Sequence, residues 1–263
     1  MTIRYGARSQ DELEAAAAKG ASVAAWSTSL SAIYETDADA VAEVLPPPLE
    51  PSPRPRVRVS VATVDLGPHM PEFGAGTFAV EAMHAGCVGY YPLLMPMSSE
   101  MAVVGGREKF GEPKKLAEIS VTRDGAHISG SVARMGVTII ELAGTVGEAF
   151  EPEAGSERTD FYFKFLPAPD GKGFDSEPSL VYCHRTETAR SAARVNGDVL
   201  LRESRFDPVA DLEVHRVIEM SISERQAEQR GEIVATVPAD WILPYVHQRY
   251  DDQIAARSVA EDK

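Results

Sequence analysis

Apolar and polar side chains alternate along much of the chain after residue 56, and this period constrains the fold most strongly. In residues 56–61, valines at every second position alternate with two arginines and a serine. A period of two predicts a strand with one face buried. The same period recurs in 119–122, 127–133, 137–142 and 161–165. This many strands in a chain of moderate length predicts a barrel or a pair of curled sheets.

Two dipeptides predict hairpin turns between these strands. Asp124-Gly125 separates 119–122 from 127–133, a typical hairpin pattern. Asn196-Gly197 lies between two apolar runs and predicts a type I′ hairpin centred on those residues.

Helices are predicted towards the two ends of the chain. Ser9 and Glu12 form a capping box ahead of an alanine-rich segment that Gly20 closes. This helix, within 1–21, carries little apolar surface and is expected to lie at the periphery.

Two further helices flank the strand region. One begins at Thr36 or Asp37 and stops at 46–55, which holds six prolines and is expected to be an extended connector. The other covers 244–256 at the C-terminal end. Its apolar stripe consists of Val246, Tyr250 and Ile254.

Composition limits the class of protein. With 263 residues, of which 44% are hydrophobic, the chain can bury the core of one domain over 1–263. A net charge of −14 disfavours nucleic acid and anionic membranes as partners. The sequence shows neither an apolar run of about 18 residues, which a membrane-spanning helix requires, nor the profile of a signal peptide. Cys87 and Cys183 are then expected to be reduced thiols in the cytosol.

Two adjacent lysines carry the strongest chemical signal. Lys114 and Lys115 close the run 105–116, which reads Gly-Gly-Arg-Glu-Lys-Phe-Gly-Glu-Pro-Lys-Lys-Leu. Neighbouring ammonium groups repel each other, so burial of the pair favours loss of a proton. A neutral lysine amine can attack a ketone and form a Schiff base. Most Lys-Lys pairs are solvated surface charge, so the dipeptide alone does not decide between these interpretations.

The run around the lysines resembles the signature of the acetoacetate decarboxylase-like superfamily, Gly-Arg-Glu followed by Pro-Lys-Lys-Leu or Pro-Lys-Lys-Phe. Acetoacetate decarboxylase is itself the standard example of this kind of lysine activation. The resemblance implies that Lys114 is the Schiff-base residue and that Lys115 perturbs it. Weaker matches follow in the family's order, so the resemblance spans roughly residues 22 to 256. These weaker matches lie in residues 33–37, 45–50, 57–59 and 241–244.

The resemblance also implies the fold and the assembly. It implies an α+β, β-rich domain, an acetoacetate decarboxylase-like β-barrel or curled sheet with short flanking helices and a C-terminal helix. The lysine would lie in an apolar cavity inside the barrel. No cofactor is implied, and a homo-oligomer is expected.

The resemblance implies an arginine and two glutamates in decarboxylating members of the family, and one register of this chain replaces all three with uncharged residues. The register places Trp26 or Ser27 where those members have an arginine, and Ser60 and Ala75 where they have glutamates. A shifted register would bring in Glu72 or Glu81 instead; these two alternatives stay open. The chain would keep the Schiff-base lysine without the charges that accompany loss of carbon dioxide.

The predicted function is therefore a cofactor-independent Schiff-base enzyme that acts on small 2-oxo acids. The reaction would be aldol condensation or cleavage with dehydration or hydration, as in the branch that resembles pyruvate aldolase-dehydratases. One alternative is decarboxylation of acetoacetate or another 3-oxo acid. The other is a non-catalytic protein that binds a small carbonyl compound.

Several residues are candidates for proton transfer and substrate binding. Tyr245 and Glu112 are candidate acid–base groups, although Tyr245 could instead pack on the barrel and Glu112 could be an exposed loop charge. Arg107 and Glu108 match the signature and are typical of an ion pair that holds a loop. The candidate substrate-binding residues are Trp26, Ser60, Phe73, Arg107 and Glu108. For a substrate carboxylate, Arg58 and Arg107 are both possible.

The motifs predict neither a metal site nor a dinucleotide-binding site. The six histidines have no partners at ligand spacing, so no metal site is predicted. The glycine pairs lack the strand and helix context of a dinucleotide site. The expected partner is a small carbonyl substrate.

Overall fold

The computed structural model describes residues 3–18, 25–153 and 155–251. The helices are α1 (Gln10–Ala18), α2 (Ala38–Val44), α3 (Glu100–Phe110), α4 (Ala239–Ile242) and α5 (Val246–Arg249). The first strands are β1 (Trp26–Glu35), β2 (Glu50–Pro51), β3 (Arg56–Asp65), β4 (Phe73–His84), β5 (Cys87–Met97) and β6 (Lys114–Leu116). The later strands are β7 (Glu118–Asp124), β8 (His127–Arg134), β9 (Val137–Phe150), β10 (Ser156–Lys164), β11 (Ser179–Leu201) and β12 (Arg216–Thr236).

Seven strands of the described chain close into a barrel, as the sequence predicted. Their order is β10-β5-β4-β3-β1-β12-β11, and β11 pairs with β10 to complete the circle. Most neighbours are antiparallel, whereas β5 and β10 are parallel and share the single bridge between Tyr90 and Asp160. Closure matters because it creates an interior that is separate from the main apolar core.

A second sheet folds over one side of the barrel. The far half of β11 leaves the barrel and pairs with β9, which continues the sheet through β8 to β7. The main apolar core lies between this sheet and the outer face of β1, β3 and β4, and includes Leu30, Val61, Phe78, Ile128 and Leu142. Burial of these side chains is the main term that stabilises the fold.

Both faces of β3 are buried, which corrects the expectation of a half-buried strand. Val57, Val59 and Val61 face the apolar core with no exposed surface. Arg58 and Ser60 are also buried, because their face of the strand points into the barrel. The polar half of the alternation therefore marks the barrel interior and not solvent.

Of the two predicted hairpins, the first is confirmed and the second is wrong. Gly125 turns the chain between β7 and β8 with a φ of 58°. Asn196 and Gly197 instead lie inside β11, where Gly197 is opposite Gly144 of β9. The backbones of these two glycines meet so closely that a Cβ atom on either would collide with the other strand. Long-range pairing with β9 thus overrides the local turn preference.

The helical predictions hold best at the N-terminal side. In α1, the Ser9 amide donates to Glu12 and the Glu12 amide donates to the Ser9 hydroxyl, which is the expected capping box. Gly20 lies outside the described residues. Asp37 caps α2, also as predicted.

The expected helix over 244–256 is only partly found. Within the described residues α5 ends at Arg249, and Tyr250 has extended backbone. Ile254 lies outside the described residues. In the described part of the chain, every helix is too short or too polar to span a bilayer.

Candidate active site

The segment between α3 and β6 directs the two lysines to opposite sides of the barrel wall. Gly111 ends α3 in the left-handed region, with a φ of 83°, a conformation that favours glycine. Lys114 and Lys115 then pair with Met95 and Pro96 in a parallel bridge to β5. Because successive side chains of a strand point to opposite faces, Lys114 points into the barrel and Lys115 points out.

Lys114 reaches a cavity of about 230 Å³ inside the barrel. This volume suits a small molecule and lies below the usual range for drug-sized ligands. The charged side chains at its wall are Glu112, Lys114, Arg185, Glu187 and Arg225. The remaining wall includes serines and apolar groups, among them Ser27, Ser29, Ser60, Phe73, Ala75, Met95 and Met97.

The Lys114 ammonium lies against a buried carboxylate. Its Nζ is 2.8 Å from Oε2 of Glu112, whose side chain is 1% exposed. Glu112 Oε1 accepts a hydrogen bond of 2.8 Å from Arg185 Nη2. Oε2 accepts no well-aligned hydrogen bond from the described residues, so its contact with Lys114 is mainly Coulombic. This oxygen is placed to exchange a proton with the amine or with a group bound to it.

Arg185 connects this pair to the rest of the barrel interior. Its Nε donates to Asp160 Oδ2 at 2.5 Å and its Nη2 donates to the Tyr162 hydroxyl at 2.9 Å. Arg158 continues the network to Asp160 at 3.0 Å and to Glu187 at 2.6 Å. Arg225 donates to the other oxygen of Glu187 at 2.8 Å.

The interior carboxylates of Asp160 and Glu187 stay ionised at neutral pH. Burial alone would raise the pKa of Asp160, but the Arg158 and Arg185 guanidiniums outweigh it and lower that pKa. Burial opposes ionisation of Glu187 too, yet Arg158 and Arg225 lower its pKa to about 2. Burial raises the pKa of Tyr162 well above its ordinary value, so its phenol remains a neutral hydrogen-bond donor.

The packing around Gly106 explains why the Gly-Arg-Glu motif begins with glycine. The helix α3 passes directly over the Lys114 and Glu112 side chains at this residue. A Cβ atom on Gly106 would lie 2.6 Å from Lys114 Nζ and would overlap Glu112 Oε2. The motif therefore holds glycine here because the Lys114 amine occupies the space of a side chain.

Arg107 supports the site from outside the cavity. Its Nη1 donates to the backbone carbonyl of Lys114 at 3.0 Å and to that of Arg249 at 3.1 Å. It therefore positions the Lys114 backbone and does not line the cavity. Glu108 is exposed and forms no ion pair with Arg107 or another described residue, which corrects the expected loop ion pair and the expected binding role.

Lys115 also lies outside the cavity, which corrects its predicted place beside the reactive amine. Its Nζ is 2.9 Å from Asp207 and 3.1 Å from Asp251. Arg134 binds the same two carboxylates, each at 2.6 Å. The charge in direct contact with Lys114 is thus the Glu112 carboxylate and not the neighbouring ammonium.

Two other candidates are also placed elsewhere. Tyr245 lies in an outer crevice with Tyr91 and Pro113, because the C-terminal helices pack on the outside of the barrel. Trp26 lies under the Arg190 guanidinium, 4.3 Å from its ring centre. It faces away from the cavity because Ser27, the next residue in the strand, faces in.

Ser60, Phe73 and Glu112 do line the cavity with Lys114. Ser27 and Ala75 line it as well. The structure is therefore consistent with the alignment in which Ser27, Ser60 and Ala75 stand where decarboxylating members have an arginine and two glutamates. The alternative residues do not line the cavity: Glu72 is exposed, and Glu81 is buried against the Ser52 hydroxyl.

The sequence analysis missed the charged residues of the last barrel strands. Asp160, the pair Arg185 and Glu187, and Arg225 come from three separate strands and belong to no motif. A weak signal existed in β10 and β11, where Arg158 and Asp160, and likewise Arg185 and Glu187, are two residues apart and so share one face of their strand. That pattern is also typical of a solvent-facing strand, so only closure of the barrel identifies it as interior.

In the described residues, no three His, Cys, Asp or Glu side chains form a group that could hold a metal ion. Cys87 and Cys183 are both free thiols. Burial raises the pKa of Cys183 to about 11, so its thiol is neutral at physiological pH.

Comparison with known proteins identifies the family. The family model described as acetoacetate decarboxylase (ADC) matches residues 11–237. The chain is 28% identical over 204 residues to acetoacetate decarboxylase of Clostridium beijerinckii, covering 73% of this chain and 79% of that protein. It is 26% identical over 192 residues to acetoacetate decarboxylase of Burkholderia cenocepacia, covering 71% and 76%.

Solved structures agree in fold. Acetoacetate decarboxylase from Legionella pneumophila matches with a TM-score of 0.70 and 20% identity, covering 81% of this chain and 86% of that one. The enduracididine biosynthesis enzyme MppR, complexed with the condensation product of pyruvate and imidazole 4-carboxaldehyde, matches with a TM-score of 0.67 and 16% identity, covering 80% and 88%. Because the family model spans most of its length, the chain belongs to the acetoacetate decarboxylase family.

Proposed function

We propose that this family member is a cofactor-independent Schiff-base enzyme that joins or cleaves carbon–carbon bonds of a small 2-oxo acid, with dehydration or hydration. The observation that carries the proposal is the Lys114 amine inside the barrel cavity, 2.8 Å from the buried Glu112 carboxylate. An amine and a base in contact are the two groups that imine formation requires.

Each of these groups has a role in the proposed reaction. The deprotonated Lys114 amine attacks the ketone carbon, and the resulting carbinolamine loses water to give an iminium ion. Glu112 accepts the proton that the amine releases and returns one to the departing hydroxyl. The iminium ion then draws electrons from the neighbouring carbon, whose proton passes to Glu112. The resulting enamine attacks an aldehyde, whose oxygen takes that proton from Glu112.

The charges of the cavity favour this chemistry over loss of carbon dioxide. Arg185 and Arg225 at the wall would stabilise a substrate carboxylate in the ground state. Decarboxylation consumes that negative charge, so ground-state stabilisation of the carboxylate slows the reaction. Ser27, Ser60 and Ala75 supply no charge that would oppose these arginines.

Decarboxylation of a 3-oxo acid is the second candidate function. It is favoured by the curated relatives, which are named acetoacetate decarboxylase. The same lysine imine would serve as the electron sink for that reaction. The two functions therefore share Lys114 and differ in the bond that breaks.

Borohydride trapping separates the candidates. The protein would be reduced with pyruvate or acetoacetate, and the adduct located by peptide mass, while carbon dioxide release from acetoacetate is measured. We expect a pyruvate adduct on Lys114 and no rapid carbon dioxide release. Lys114→Ala should lose the adduct, whereas Lys109→Ala, at an exposed position of α3, should keep it.

Rapid carbon dioxide release would instead support the decarboxylase. Failure of both compounds to form an adduct, with a folded protein by circular dichroism, would contradict both enzyme proposals. The alternative of a non-catalytic binding protein would then be preferred.

A further inference from the structure

Four arginines converge inside the barrel beyond Lys114. This arginine cluster consists of Arg58, Arg158, Arg185 and Arg225, contributed by four different strands. Two carboxylates lie among the guanidiniums. Asp160 contacts Arg158 and Arg185, and Glu187 contacts Arg158, Arg225 and, at 3.9 Å, Arg58.

The cluster carries more positive than negative charge. With Lys114 and Glu112 at its end, five cations face three carboxylates, an excess of two positive charges. Glu81, a nearby buried carboxylate, hydrogen-bonds to Ser52 and forms no ion pair with a described residue of the cluster. Buried charge without a partner is unfavourable, so the interior is suited to an anionic ligand.

Arg58 is the cluster member with the weakest protein contacts. Its side chain is 10% exposed, its one ion pair is the 3.9 Å contact with Glu187, and its guanidinium donates no hydrogen bond to a described residue. Its side chain is not part of the cavity wall, but it lies on the same face of β3 as Ser60, which is. Burial, and then repulsion from Arg158 and Arg225, lower the pKa of Arg58 to about 9. All of these features describe a cation that lacks an anion.

We infer that Arg58 and Arg225 bind a second carboxylate of the substrate, so that the enzyme acts on a 2-oxo dicarboxylic acid. This inference rests on the proposed Schiff-base function. The ketone would face Lys114, and the neighbouring carboxylate would pair with Arg185. The distal carboxylate would pair with Arg225 at the cavity wall and with Arg58, which lies behind that wall beside Glu187. A dianion would balance the excess of two positive charges.

Two matched ligand pairs test the inference. In the first, borohydride trapping on Lys114 compares 2-oxoglutarate with 2-oxopentanoate, in which a methyl group replaces the distal carboxylate. In the second, thermal shifts compare glutarate with pentanoate, which bind without forming an imine. We expect the dicarboxylate to act at about tenfold lower concentration in each pair, the usual effect of a hydrogen bond to a charged group.

Variants then locate the second anion site. Arg58→Met removes one charge and no hydrogen bond to a described residue. In both pairs it should bring the ratio of the effective concentrations of monocarboxylate and dicarboxylate close to one. Arg58→Lys keeps the charge and should retain part of the preference. Arg123→Met removes an exposed arginine of β7 and should keep the full preference, which controls for net charge.

The outcomes separate this inference from the proposed function. A wild-type protein without a dicarboxylate preference, or an Arg58→Met variant that keeps it, would overturn the inference even if pyruvate still reacts with Lys114. A glutarate preference without any adduct on Lys114 would support the anion site and contradict the Schiff-base function.

Discussion

At Gly106, the backbone of α3 crosses the Lys114 and Glu112 side chains without a side chain of its own. Helix propensity opposes this choice, since glycine in a helix costs about 1 kcal/mol relative to alanine. The overlap that a Cβ would create with both groups is the larger effect. The residue thus gives up local stability so that an ion pair can occupy the space beside the helix.

Adjacent glycines provide a matched test at the residue scale. Gly106→Ala should displace Lys114 from Glu112 and slow adduct formation at least about a hundredfold, since misplaced reacting groups lose this much. Gly105 has no atom within 4 Å of an added Cβ, so Gly105→Ala should keep the rate and raise stability by up to about 1 kcal/mol. Borohydride trapping at a series of times measures the rate of adduct formation, and urea unfolding measures the stability. Equal rates of adduct formation in the two variants would refute the packing argument.

At the scale of single elements, β6 separates two charged environments with only three residues. Its first side chain enters the barrel cavity, and its second joins Asp207, Asp251 and Arg134 on the outer side. This outer network ties β6 to β8 and to segments before β12 and after α5. We interpret Lys115 as the residue that fixes the strand and so orients Lys114 indirectly.

Removal of the Lys115 charge should therefore affect stability. Lys115→Met leaves Asp207 with one fewer buried partner and should lower the free energy of unfolding by about 3 kcal/mol, as when a buried ion pair is broken. The pyruvate adduct should still map to Lys114. Lys109→Met, at an exposed site, serves as the control in the same urea titration. Unchanged stability together with a large loss of adduct would instead show that Lys115 acts directly on the amine.

At the scale of the whole molecule, the barrel differs from the apolar cavity that the family resemblance implied. Its main apolar core lies outside the barrel wall, beneath the second sheet, while much of the interior is a charged network. Such a network makes the stability of the fold sensitive to acid, because its carboxylates hold the arginines together.

Glu187 gives this sensitivity a defined pH range. Its pKa falls from an ordinary value of 4.5 to about 2 on folding, so its contribution to stability is complete above pH 4.5 and is lost as the pH falls towards 2. The free energy of unfolding should drop by roughly 3 kcal/mol across that range from this group. Glu187→Gln should flatten the profile, while the exposed Glu151→Gln should not. Parallel profiles for wild type and Glu187→Gln would contradict the assignment.

Local sequence determined many of the elements and the candidate Schiff-base residue. The period of two, the Asp124-Gly125 turn, the caps at Ser9 and Asp37, and the Lys114 motif act over a few residues, where backbone preference and side-chain spacing decide the outcome. Pairing between distant strands determined the rest. Barrel closure placed Arg185, Glu187 and Arg225 around Lys114, and the pairing of β11 with β9 kept Asn196-Gly197 extended. Strand alternation identifies two faces but does not say whether the polar face meets solvent or a closed interior, because that depends on which strands become neighbours.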